Sequence, residues 1–148
     1  MPTPLPTPRT VRCLTLAIAA VLVPHIAHAQ TGKWFALVNK LTITGSVDLT
    51  VEPRNDTQSK AKIILRNSKR ETRLAWDIVA GRCQDEGAPI AAQAAFTQVM
   101  TQMDGGGTAT ANIPKLESGK LYYLRVFDPQ TAASDVTALG CANIAEQP

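Results

Sequence analysis

The sequence predicts an all-β chain, folded as an antiparallel two-sheet β-sandwich of about seven strands and closed by one disulfide. Three observations carry that expectation. Apolar and polar residues alternate with period two along most of the chain, polar or glycine corners recur at short intervals, and a single pair of cysteines follows a leader that reads as an export signal.

The leader comes first. Arg9 and Arg12 precede the apolar run Cys13 to Val23, Pro24 breaks it, and Ala27-His28-Ala29 places small residues at the two cleavage-pocket positions. That order is the pattern of a secretory signal peptide cut after Ala29. The run falls well short of the ~20 apolar residues a membrane-spanning helix needs. The expected division is therefore signal peptide over 1–29, an N-terminal extension or first strand over 30–44, and the β-sandwich over 45–148. The mature chain, with no transmembrane segment, is expected in a bacterial periplasm or outside the cell.

Removing the leader changes the chemistry available. Both histidines, His25 and His28, leave with it, as does Cys13. Of fifteen Lys and Arg, Arg9 and Arg12 are lost, so thirteen face twelve Asp and Glu and the net charge drops from +3 to +1. Cys83 and Cys141 remain, and an oxidising compartment joins such a pair. Closing so long a loop constrains the unfolded chain by about 4 kcal/mol in the loop-entropy description. No C-x-x-C spacing is present to make the pair redox-active, and two thiolates without histidine supply only half of a zinc shell.

Along the mature chain, GSVDLTVEP sets Val47, Leu49 and Val51 against Ser46, Asp48 and Thr50, and Pro53 closes the strand. After a polar NDTQS corner, AKIILRN places Ala61, Ile63 and Leu65 on one face and Lys62 and Arg66 on the other. NSKRET leads into RLAWDIVAGRC, where Leu74, Trp76, Ile78 and Ala80 oppose Arg73 and Asp77 before Gly81 permits a turn to Cys83. The Ala-rich stretch 88–103 admits either a helix of about four turns or strand and loop; its imperfect helical spacing and all-strand flanks favour the second. Asp104 to Thr108 is a glycine turn with no Lys-Ser/Thr pair behind it, so it is not a phosphate loop. TATANIP gives a short strand, and LYYLRVFD alternates Tyr122, Leu124 and Val126 with Tyr123, Arg125 and Phe127. VTALGCANIAEQ then brings Cys141 back to the sheet.

The order of these features, W-x-I-x-x-G-x-C, a variable loop, a glycine turn with T-A-T-A, G-x-x-Y-x-L-x-V and a late cysteine, resembles small exported β-sandwich proteins. These are the relatives of copper–zinc superoxide dismutase and the chordin-like (CHRD) domain. The resemblance spans Gly45 to Ile144 and rests on Trp76, Gly81, Cys83, Tyr122 and Cys141. In the dismutase relatives, alternating histidines on the strand matching Arg73 to Cys83 hold copper. Here Trp76, Ile78 and their neighbours occupy those positions, and the chain after Ala29 contains no histidine. Dismutase chemistry is therefore not expected, because such sites need imidazole nitrogen.

Nor does the sequence offer another catalytic constellation. Serine–histidine and cysteine–histidine pairs are excluded, Ser68-Lys69 and Ser118/Lys120 lie in corners where those residues are common, and Asp85-Glu86 reads as a solvated turn. Asn55-Asp56-Thr57 is a glycosylation sequon whose use depends on the host. The expectation is an exported, non-catalytic binding or envelope-associated module without cofactor. A carboxylate-based metal-binding protein or enzyme is the alternative. Charge alone hints at a ligand. Eight basic residues and three acids lie between Arg54 and Arg82, against three and seven from Cys83 onward. Lys62, Arg66 and Arg73 are expected to form a basic face for a polyanion: an acidic glycan, lipopolysaccharide phosphates or an acidic protein. Small net charge and aromatics that do not interleave with the basic run argue against nucleic acid.

Overall fold

The computed structural model describes residues 32–43, 45–130 and 138–147; the expected signal peptide and its cleavage point lie outside the described residues. Eight strands follow in chain order: β1 (Trp34–Val38), β2 (Ser46–Pro53), β3 (Gln58–Arg66), β4 (Arg73–Ala80), β5 (Val99–Met100), β6 (Gly107–Pro114), β7 (Tyr122–Phe127) and β8 (Ala138–Glu146). They form one antiparallel sheet in the order β5-β4-β7-β8-β1-β2-β3-β6.

The expected sandwich of two sheets and about seven strands is therefore corrected. The chain is all-β and antiparallel, but its eight strands make a single sheet curled into a nearly closed barrel. β8 causes the difference. It pairs with β7 from Tyr122↔Ile144 to Phe127↔Ala138 and with β1 at Trp34↔Glu146 and Phe35↔Ala145, joining what would have been separate sheets. The two ends of the sheet meet where the hairpin between β5 and β6 turns back, and Phe96 bridges to Ala111 across the seam. β4, β5 and β6 run in sequence and β7 returns beside β4, a Greek-key path.

The inner face is built by the alternation. Val47, Leu49 and Val51 of β2, Ala61, Ile63 and Leu65 of β3 and Ala109, Ala111 and Ile113 of β6 all point inward and are buried. Trp76 is the largest side chain with no exposed surface. Its indole N–H donates to the Thr97 carbonyl at 2.7 Å, and the Phe96 ring meets it edge-on with centroids 5.0 Å apart. Each fully buried Val, Leu or Ile in this core contributes about 1.5–3 kcal/mol by leaving water. Gly140 of β8 faces inward, where an added Cβ would stand 2.7 Å from Val38 Cγ1 and 2.8 Å from Leu41 Cδ2. A side chain there would wedge β8 away from the chain after β1.

On the outside the strands divide into two kinds. β2, β3 and β6 carry polar residues to water, whereas β4 and β7 are covered on both faces. The segment 83–98 lies over them. It holds the β4 edge through Ile90 N–H to the Ile78 carbonyl at 2.9 Å and a bridge between Val79 and Pro89. Within it the stretch 88–103 is loop, one 3-10 turn at Gln93–Ala95 and β5, not a helix. The disulfide Cys83–Cys141, with Cα atoms 5.8 Å apart, ties the start of this cover to β8. Gly81, at φ +114°, makes the turn that brings Cys83 there, and the Cys83 N–H donates to Asn143 Oδ1 at 2.8 Å.

Candidate functional site

Two outer surfaces concentrate polar chemistry. The first is the wall formed by β2, β3 and β6. Lys60, Lys62 and Arg66 project outward from β3 at alternate or twice-alternate positions. At about 3.4 Å per residue, Lys60 and Lys62 stand roughly 7 Å apart along the strand. Register sets their neighbours. Lys62 lies between Thr50 and Thr110, and Lys60 between Glu52 and Asn112. Arg54 joins the row from the β2–β3 corner, where its Nη1 donates to Asn112 Oδ1 at 2.9 Å.

Countercharges thin this row unevenly. Arg66 Nε donates to Asp48 Oδ2 at 2.9 Å, so its charge is largely matched. Glu52 meets Lys33 at 3.2 Å. Lys62 has only hydroxyl neighbours in register. The corner preceding the row is fixed by Asn55, whose Oδ1 accepts the N–H groups of Thr57 and Gln58 and the Thr57 hydroxyl, so the sequon asparagine serves as a turn cap.

The structure thus brings together two of the three cations expected to share a face and separates the third. Lys62 and Arg66 are on β3, but Arg73 opens β4, with β6 and β5 between them. Arg73 faces a hollow with Glu71, Thr72, Gln98 and Asp128. Lys60 and Arg54 also belong to this wall, although neither was among the residues expected there. Lys60 shares parity with Lys62 in the same run, a signal that was present; Arg54 lies beyond Pro53 and reaches the wall only through Asn112.

The second surface is a cleft of about 590 Å³ above β4 and β7, floored by Ala75, Asp77, Arg125 and Phe127 and walled by the covering segment. Asp77 reads in sequence as a solvent-face residue, yet it is only 1% exposed. It stands directly across from Arg125 and accepts from its Nε at 3.1 Å and its Nη2 at 2.6 Å. Those hydrogen bonds, opposed by partial burial, raise the Arg125 guanidinium further above its already high ordinary range. The guanidinium also lies over the Phe127 ring, 5.5 Å from its centroid. Beside the cleft, Tyr123 donates its hydroxyl to the Asp85 carbonyl at 2.9 Å, and burial pushes its phenol pKa up.

The serine–lysine pairs form no catalytic couple. Ser118 Oγ donates to Glu146 at 2.7 Å while Lys120 pairs with Glu117 at 2.8 Å, which raises the lysine pKa. Ser68 Oγ has no hydrogen-bond partner among the described residues. Asp85 is a turn residue, its Oδ2 accepting the Arg82 N–H at 2.8 Å. Among the described residues no three His, Cys, Asp or Glu side chains converge, and no helix is long and apolar enough to cross a membrane. Neither a protein-family model nor a curated protein matches the chain.

Proposed function

We propose that this chain is an exported, non-catalytic binding module of the cell envelope, a distant relative of the dismutase-like and chordin-like sandwiches without their metal chemistry. Its ligand is a linear acidic glycan bound along the β3 wall. One observation carries the reading: the outward row Arg54, Lys60, Lys62 on the wall of β2, β3 and β6, with Lys62 flanked by Thr50 and Thr110 and Lys60 by Glu52, which is paired with Lys33, and by Asn112. Lys60 and Lys62, about 7 Å apart, are spaced to meet neighbouring charges of an extended polyanion, with Arg54 beside them at the corner. The hydroxyl and amide groups beside them are suited to sugar hydroxyls. Arg73 is outside this surface, so the basic face first expected at Lys62, Arg66 and Arg73 is redrawn around Lys60 and Lys62.

Each contact is exposed and screened over about 8 Å at physiological salt, so affinity depends on several acting together. Heparin-affinity chromatography of the exported protein tests this, with Lys60→Glu/Lys62→Glu compared against Arg73→Glu. Early elution of the double variant, with Arg73→Glu retained like the wild type, is the expected result. Equal retention of the wild type and the double variant removes the wall as the site, and preferential binding to lipopolysaccharide phosphates overturns the glycan reading.

A further inference from the structure

We infer that the cleft above β4 and β7 is a second binding site, independent of the β3 wall, and that it takes an uncharged apolar amide, such as one apolar residue of a peptide. The donor set of Arg125 is the starting point. Asp77 occupies the Nε and Nη2 side of the guanidinium, leaving the Nη1 hydrogens and the second Nη2 hydrogen. Among the described residues Nη1 makes no hydrogen bond. The Arg125 side chain is 21% exposed, and the plane of its guanidinium is held by the paired bonds to Asp77 and by the Phe127 ring it lies over. A fixed fork of unspent donors at the floor of a cleft calls for an oxygen acceptor on the ligand.

Charge decides which acceptor. Asp77 already neutralises Arg125, and among the described residues no other ionisable side chain lines the cleft. A carboxylate placed on the free fork would gain one cation while standing just beyond a buried anion, and would surrender its own hydration to do so. An amide or ketone oxygen accepts the same hydrogen bonds with far less to desolvate. The ion pair therefore selects neutral acceptors over anions.

The walls specify the rest. Phe96, Phe127, Pro89, Pro129 and Ala94 present apolar surface, and about 590 Å³ is within the range of small-ligand sites. Gln93 spends its Nε2 on the Trp76 carbonyl at 3.2 Å, which leaves its oxygen to accept an N–H. Gln98 and Pro129 border the adjoining hollow as well, so the two hollows are neighbours. An apolar body, a carbonyl for Arg125 and an N–H for Gln93 describe one apolar residue of a peptide.

The test is titration of the isotope-labelled, disulfide-intact protein with N-acetyl-phenylalanine amide and, separately, with N-acetyl-phenylalanine carboxylate, followed by NMR. The amide is expected to shift Ala75, Arg125 and Phe127 signals saturably at millimolar concentration, with the carboxylate at least about tenfold weaker. Ala94→Trp, which fills the mouth without touching the ion pair, should abolish those shifts while leaving the melting temperature unchanged. Arg125→Lys, which retains the charge and loses the fork, should weaken amide binding at least about tenfold, with its fold checked by the same spectra. Absence of saturable shifts at these residues, a carboxylate that binds as well as the amide, or unchanged binding by a folded Ala94→Trp variant overturns the inference.

Discussion

Asp77 shows how a single residue can read one way in sequence and act another in the fold. Its parity with Arg73 places it on the polar face of β4, and the structure agrees about the face. Its own surface is nevertheless covered, because Arg125 and the segment after Cys83 close over it. A carboxylate with 1% exposure survives only with a close cation, and Arg125 supplies it. Removing one partner of such a pair strands the other charge, whereas replacing both removes the desolvation cost as well. Asp77→Ala is therefore expected to cost about 3 kcal/mol in denaturant unfolding, and Asp77→Leu/Arg125→Leu distinctly less. Equal losses would show that the pair is not acting as a unit. Tyr123 gives a pH signature. Its folded-state pKa is raised above the ordinary 10.0 by burial, so its contribution is complete below pH 10 and is lost as pH rises through the higher folded value. The melting temperature of the wild type should fall more between pH 9 and 11 than that of Tyr123→Phe; parallel curves would contradict this.

At the scale of elements, legibility followed the polar face. β2, β3 and β6 could be read directly because each sets charged or hydroxyl residues opposite a buried row. β1 could not be separated from an extension, since Trp34 to Val38 is apolar throughout, with Phe35 and Leu37 partly exposed, and shows no alternation to measure. The Ala-rich stretch was ambiguous because alanine suits a helix and a covering loop alike, and tertiary contacts to Ile78 and Trp76 settle it. The disulfide is the element that pins this cover. Cys83, just after β4, pairs with Cys141 on β8, at the register position of Arg125. Cys83→Ser/Cys141→Ser is expected to lose about 4 kcal/mol. It should also speed hydrogen exchange at Ile90, whose N–H is held by the Ile78 carbonyl, more than at β3. Uniform acceleration would mean that the bridge stabilises the whole barrel and not the cover in particular.

For the whole molecule, the period-two pattern specified a buried face without specifying how the sheet closes. A sandwich and a barrel bury the same residues; they differ only in who pairs with β8, and no local alternation encodes that. Closure removes the edges that two sheets would expose, and leaves one short seam at β5 and β6, where pairing is sparse. Hydrogen exchange should accordingly be slowest in β2 and β3, which are paired on both sides, and fastest around Phe96 and Met100. Equal protection at the seam would require a fully closed ladder. The same continuous sheet creates the outer wall of β2, β3 and β6 while carrying Arg73 round to another side. Whether an acidic glycan binds that wall is therefore the sharpest question. Amide chemical shifts of the labelled protein, recorded during titration with a heparin-derived oligosaccharide at low salt, answer it directly. Movements centred on Lys60, Lys62, Thr110 and Asn112 that vanish as salt is raised are the expected result. Shifts centred on Arg73 and its hollow, or none at all, would contradict the proposed glycan site.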